Sequence, residues 1–465
     1  MEMSLPFVVQ ISDAPFPYRV LSPCALTWNN VTIIWGGLNS GPLDLERLSV
    51  VYCFISGEWT MKKTSGDVPQ QCGDQSHTCY GGVCFEYSAG QYRAPPQVVN
   101  DQMYVLGSPC GDDAAMYSLD LKLWTWTRLS ARGTPPNRNI WQASSFSHGG
   151  KLYFFGGTVG IELPEHEDSY EKSSPTAIRA QSLNAGRSRV AYVVNDLFCF
   201  DIEQNSWQWP AQHGDVPSPR YCALTINNEG KVFLFGGIGH IRGENHGTFL
   251  HQRGSRIRFN DLYTLDMSNM LWKRVHGDMA EVHGDARDKV PKPSTRFHSS
   301  SHKSFLRLST STAVLYGTGS NTIGYPEISN HHDDCFLLNL ERAKSGVEPT
   351  SIWTRVRSHM AWRCHGAVSV GGSLWAIGGK TNDTPENMEG PVTSEVVKMT
   401  VRILPLRQLA MEGCRRHFDA SDPRLEGSAL PFQLKNELEA YRELVGEGSW
   451  LCRQSGCVRC QQSLQ

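Results

Sequence analysis

Residue types that do chemistry occur in four places along the 465-residue chain. His331-His332-Asp333-Asp334 combines imidazoles and carboxylates suited to a divalent metal. Cys452, Cys457 and Cys460 form part of a zinc-type thiolate set, and Cys72, Cys79 and Cys84 form another. Residues 238–259 gather Arg242, Arg253, Arg256 and Arg258 with His240, His246 and His251. The first three groups are incomplete. Adjacent residues of an extended segment point to opposite faces, and three cysteines leave a structural zinc one ligand short. An ordinary loop is expected at 331–334, and neither metal nor cofactor is expected anywhere. There is no Gly-x-Ser-x-Gly, phosphate loop or His-Glu-x-x-His to suggest an enzyme. The cationic group stands out because the chain is otherwise balanced, with 44 Lys+Arg against 46 Asp+Glu. That balance excludes a nucleic-acid reader relying on bulk positive charge. Arginines on a rigid rim suit a carboxylate or phosphate guest.

Side chains are placed by their scaffold, and here the scaffold repeats itself. With 40% apolar and 19% charged residues the chain is not disordered throughout, and 43 Gly, 25 Pro and 13 Trp point to a turn-rich β protein. A β-branched or aromatic run ending in glycine recurs six times: Val31–Gly37, Met103–Gly107, Leu152–Gly157, Val232–Gly237, Ala313–Gly317 and Leu374–Gly379. An alternating run then leads to an aspartate six residues before a tryptophan, in Asp120/Trp126, Asp201/Trp207 and Asp266/Trp272. The first unit has Trp59 after Tyr52-Cys-Phe-Ile, the fifth delays its tryptophan to Trp353 by an insertion in the hairpin turn, and the sixth has none. A lead-in with arginine precedes several glycine runs: Pro136-Asn-Arg138, Pro219-Arg220, Thr295-Arg296 and Trp362-Arg363. Taken as recurring in register, these arginines have a structural role.

This combination resembles the kelch repeat, over roughly residues 5–402. The resemblance implies an all-β fold, a six-bladed kelch β-propeller with one four-stranded sheet per blade. The glycine pair is expected to let the second strand end beside the crowded axis, and each tryptophan to pack between blades. Because the last blade lacks its tryptophan strand, Pro6–Ile11 is expected to close the ring from the N-terminus. Trp-to-Trp separations of 67, 81, 65 and 81 residues exceed the ~50 of a plain kelch unit. The excess falls at 158–194, read as a polar mobile loop, at 238–259, and at 276–293. Strand alternation brings second-to-third-strand loops and blade-to-blade loops to one face, a place for a partner.

After residue 402 the pattern turns helical. Leu406, Leu409, Ala410, Cys414, His417 and Phe418 share a face, and Leu430-Pro431 opens a second stretch aligning Leu434, Leu438 and Tyr441. These residues resemble a BC-box and a cullin-2 box, by which the kelch-domain substrate receptors of cullin-2 ubiquitin ligases dock. The resemblance implies Elongin C docking (with Elongin B) through Leu406, Ala410 and Cys414, and cullin docking through Leu430, Pro431, Leu434 and Leu438. Domains are expected at 1–402 (propeller), 403–446 (helical docking box) and 447–465 (flexible Cys-containing tail).

In that family, basic residues on the propeller face hold a substrate's C-terminal carboxylate. Arg258, before Asn260-Asp261-Leu262, matches one; Ile238 and Phe297 stand where the family has an arginine and a serine. Arg258, Arg256, Arg253, Phe297 and Trp141 are the expected substrate-binding residues. The rival reading is a kelch scaffold for cytoskeletal or signalling proteins, with no ligase. No apolar stretch approaches the ~20 residues of a membrane helix, and no signal peptide is read at Met1–Asp13. The chain is therefore expected in the cytoplasm or nucleus, its 14 cysteines as thiols.

Overall fold

Val232, Phe233, Leu234 and Phe235 are consecutive, and all four have 0% exposure. A strand buried on both faces reads as an unbroken apolar run, and its alternate residues then serve two different cores. Val232 and Leu234 pack with Phe155 and Leu197 on one side, whereas Phe233 and Phe235 pack with Phe305 and Phe336 on the other. That double burial is the organising principle of the molecule. The computed structural model describes residues 7–21, 23–36, 38–39, 50–55, 58–69, 94–107, 115–136, 140–162, 178–181, 189–240, 256–276, 305–316, 334–345, 352–357, 362–363, 366–370, 373–381 and 393–401.

Six antiparallel sheets form the blades. Blade one comprises Cys24–Trp28, Val31–Trp35, Val50–Ile55 and Glu58–Lys63. Blade two has Gln97–Val99, Gln102–Leu106, Met116–Asp120 and Thr125–Leu129; blade three has Ser144–His148, Lys151–Glu162, Arg189–Asp201 and Ser206–Gln208. Blade four has Leu224–Asn228, Lys231–Phe235, Leu262–Asp266 and Leu271–His276. Blade five has Phe305–Arg307, Thr312–Tyr316, Asp334–Asn339 and Trp353–Arg357, with the expected hairpin insertion forming the helix Leu340–Ser345. Blade six joins Gly366–Val370, Ser373–Ile377 and Val396–Val401 to Phe7–Ile11, whose register runs from Phe7↔Val401 to Ile11↔Val397. The N-terminal strand thus closes the ring as the sequence requires.

Each of six apolar clusters spans two neighbouring blades. The fourth-strand tryptophans sit within them: Trp126 lies 5.1 Å from Trp35 of blade one, Trp272 5.0 Å from Phe155 of blade three, and Trp353 5.6 Å from Phe235 of blade four. The delayed Trp353 reaches the same kind of position as the others. Its indole N–H donates to Nε2 of buried His276 at 2.6 Å.

The expected role of the glycine pair needs correction. A Cβ on Gly156 would come 2.3 Å from the Arg220 carbonyl oxygen, and one on Gly378 2.5 Å from that of Val20. The crowding comes from the backbone that leads into the next blade, not from the propeller axis.

The repeating aspartates shape the hairpin before each tryptophan. Asp120 Oδ1 accepts from the N–H groups of Lys122 and Leu123, Asp201 Oδ1 from that of Gln204, and Asp266 Oδ1 from the hydroxyl and N–H of Ser268. These bonds favour the ionised form and hold all three carboxyls below the ordinary carboxylate value. A carboxyl depressed by folding contributes stability that is complete above about pH 4 and is lost as the pH falls through the folded value. Thermal melts should therefore separate wild type from Asp266→Asn at pH 7. The gap should narrow as the pH is lowered toward 3.

Candidate functional site

In four blades, the lead-in to the innermost strand pairs with the residues after the glycine pair. Val20–Leu21 meets Leu38–Asn39, Ile140–Trp141 meets Thr158–Val159, Tyr221 meets Ile238, and Trp362–Arg363 meets Lys380–Thr381. These pairings raise a second storey on one rim of the disc.

Blade three builds it highest. Its second and third strands pass the glycine pair through an irregularity at Phe155/Gly157 and continue to Glu162 and from Arg189, and Ile178–Gln181 adds outside the third strand. Residues 158–194 are therefore not simply a polar mobile loop. Composition averaged over the whole segment hides its strand formers, which sit at the two ends, as Val159 and Ile161 and as Val190 to Val194. In blade four, Ile238–His240 pairs with Arg256–Arg258, in the register Ile238↔Arg258 and His240↔Arg256. Ile178–Gln181 lies beside Ile238–His240. Val193, Tyr221, Cys222 and Ile238 seal the seam between the two storeys with a small apolar cluster.

Arg220 sits beneath this seam, and its side chain has 0% exposure. Nη1 and Nη2 form a fork on Asp261 at 2.6 and 3.0 Å, Nη1 also donates to the Gly236 carbonyl, and Nε and Nη2 donate to the Ser218 carbonyl and hydroxyl. All five guanidinium donors are used. The Phe259 ring lies 3.9 Å from the guanidinium carbon. The backbone of Arg220 faces the other way: its N–H donates to the Val194 carbonyl at 3.1 Å, and its carbonyl accepts from Gly157 at 2.8 Å.

A structural role for Arg220 is thus found, but the arginine series is not in register. Arg220 lies four residues before Leu224, Arg363 three before Gly366, and Arg138 six before Ser144, where those innermost strands begin. Val20, Ile140 and Trp362 occupy the position of Arg220 in blades one, three and six. Counting from the glycine pair, rather than from the nearest proline, gives the correct alignment. The same count draws out Asp261 and Phe259, which local sequence marks only as neighbours of Arg258.

Of the expected substrate-binding residues, Trp141 is half-buried on its rim strand, and Arg256 and Arg258 lie on the blade-four ribbon. Arg253 and Phe297 fall outside the described residues, as do Leu406, Ala410, Cys414, Leu430, Pro431, Leu434 and Leu438. Ile238, at 8% exposure, is given over to packing in the seam. Of the 331–334 group only Asp334 is described, opening a blade-five strand. The described cysteines Cys24, Cys53, Cys199, Cys222 and Cys335 are buried and form no disulfide. Burial pushes Cys53 and Cys199 up to about 11, and Cys222 upward too, which is the reverse of nucleophile activation. No cluster of three or more metal-ligating side chains occurs among the described residues, and none of their helices is long and apolar enough to cross a membrane.

No family model matches the chain. It is similar to kelch domain-containing protein 10 of Xenopus tropicalis, 24% identical over 276 residues that cover 53% of this chain and 60% of that protein. Human host cell factor 1 is 24% identical over 264 residues, 54% of this chain and 10% of the relative; human host cell factor 2 is 25% identical over 320 residues, 58% and 36% respectively. The chain thus spans less than two thirds of the length of each of these relatives. A solved structure described as "Structure of YjhT" aligns with a TM-score of 0.47 and 15% identity over 84% of this chain and 97% of its own. Six blades, each with the glycine signature and five with the tryptophan, make this chain a kelch-repeat β-propeller, a scaffold suited to holding other proteins.

Proposed function

We propose that this propeller is a non-catalytic substrate receptor of a cullin-2 ubiquitin ligase, holding a peptide of its target on the raised face of blades three and four. The observation that carries the binding half is the second storey itself, two strand extensions joined at a packed seam. Sites on rigid strands hold their groups more accurately than sites on free loops. In this reading Arg258, with Arg256 and Arg253, supplies charge for a peptide carboxylate, including a C-terminal one, and Trp141 and Phe297 supply aromatic surface. With Ile238 buried, the carboxylate duty shifts to the paired strand.

The ligase half is supported by the sequence resemblance of the tail. Leu406, Ala410 and Cys414 engage Elongin C, held with Elongin B, and Leu430, Pro431, Leu434 and Leu438 engage cullin-2. Residues 1–402 form the receptor domain, 403–446 the docking box and 447–465 the tail, and the protein acts in the cytoplasm or nucleus. Affinity capture of the full chain should retain Elongin C and cullin-2, and a Leu406→Ser, Leu434→Ser variant with an unchanged melting temperature should lose both by tenfold or more. Wild-type chain that captures neither would overturn the receptor reading in favour of a kelch scaffold without ligase association.

A further inference from the structure

Arg220 joins the two storeys through both of its halves: its backbone bonds to Val194 and Gly157 of blade three, and its side chain to Gly236 and Asp261 of blade four. We propose that it is a positioning residue, which makes the two raised ribbons a single composite binding surface, so that neither shifts without the other. The proposal deepens the peptide site described above and rests on that reading for its purpose.

Ring closure supplies an internal comparison. Val20 makes the same backbone cross-link there, donating to the Thr393 carbonyl at 3.2 Å and accepting from Gly379 at 2.7 Å. Its apolar side chain then simply joins the blade-one/blade-six core. The link stops at the backbone. Between blades three and four it continues through the guanidinium to Gly236 and Asp261, which flank the ribbon on both sides. Phe259 N–H donates to the Gly237 carbonyl at 2.9 Å, and its ring covers the guanidinium, so the residue that follows Arg258 is pinned from two directions. A fork with planar geometry, a stacked ring and five used donors has one arrangement that satisfies it. Lysine keeps the charge and cannot reproduce the fork.

Hydrogen exchange on the free full-length chain tests this without any partner, so its outcome is independent of whether the peptide reading holds. In Arg220→Lys, amides of residues 189–194 and 256–258 should both exchange about tenfold faster, while the clasp pairing of 7–11 with 396–401 keeps its wild-type rate. Asp261→Asn, which retains the Ser218 and Gly236 bonds, should show the same paired pattern more weakly, and serves should the lysine variant fail to fold. Acceleration confined to 256–258 would overturn the proposal by limiting Arg220 to its own blade. A uniform rise around the ring would overturn it by making Arg220 a general structural tie.

Discussion

Removing residues 1–13 lowers the melting temperature by about 5 °C or more, and supplying the same segment as a free peptide restores most of the loss. The estimate starts from the five residue pairs between Phe7–Ile11 and Val396–Val401. At about 1 kcal/mol net for each backbone hydrogen bond, the ladder is worth about 5 kcal/mol. For a chain of 465 residues about 1 °C follows from each kcal/mol. The truncation also removes the Ser12 N–H donated to the Val396 carbonyl at 2.8 Å. More than a ladder is lost, because the ring is kept closed by it. Phe16, 2% exposed, packs with Ala25 and Ile34 of blade one and with Val368, Ile377 and Val396 of blade six, a cluster that an open ring shows to water. Differential scanning calorimetry of the truncated chain with and without the peptide makes the measurement. An unchanged melt would show that blade six stands without its outer strand.

The clasp was legible in the sequence because a missing strand leaves a deficit that something must fill, and Pro6–Ile11 was the one unassigned β-patterned run. The six blades were legible for a similar reason: a residue type that recurs at fixed spacing reports a recurring environment. Repetition also misled. Arg138, Arg220 and Arg363 look equivalent beside their prolines or strand starts, yet counting back from where the innermost strands begin sets them six, four and three residues away. What aligns blades is the glycine pair, whose neighbours are fixed by close approach; arginine side chains are long enough to reach a partner from several positions. The raised storey was only half visible. Arg258 was found as a charge before a strand, but the ribbon on which it lies depends on a partner strand 18 residues away, Ile238–His240. Local pattern does not encode such pairing. The last feature to escape was a connector too short to show any period.

That connector carries the largest effect expected of a single substitution. Gly66-Asp67-Val68-Pro69 and Gly214-Asp215-Val216-Pro217 lie between consecutive blades, and Gly133 holds the matching place before blade three. Ser65–Gly66 runs parallel to the fourth strand of blade two, and His213–Gly214 parallel to that of blade four. Each delivers caps to the tryptophan strand: Trp126 Nε1 donates to Thr64 at 3.1 Å, Trp272 Nε1 to Gln212 at 2.8 Å, and Asp215 Oδ2 accepts the Arg274 N–H at 3.1 Å. The glycine makes this approach possible. At Gly214 φ is +75°, and a Cβ would stand 2.3 Å from the Trp272 carbonyl oxygen; at Gly66 φ is +81° and the distance to the Trp126 carbonyl is 2.2 Å. Alanine in that conformation costs about 1–2 kcal/mol on its own account. The clash then forces the connector off the strand, unpairing two backbone bonds to Trp272 and Met270 and leaving the indole of a buried tryptophan unsatisfied. Gly214→Ala and Gly66→Ala should each cost more than about 4 kcal/mol in urea unfolding. Gly149→Ala separates the two contributions, since φ is +55° there and nothing lies within 4 Å of the added carbon. It should cost only the conformational 1–2 kcal/mol. Equal losses at Gly149 and Gly214 would mean that the connectors rest loosely on the blades, and that the tryptophan strands are held by their own sheets alone.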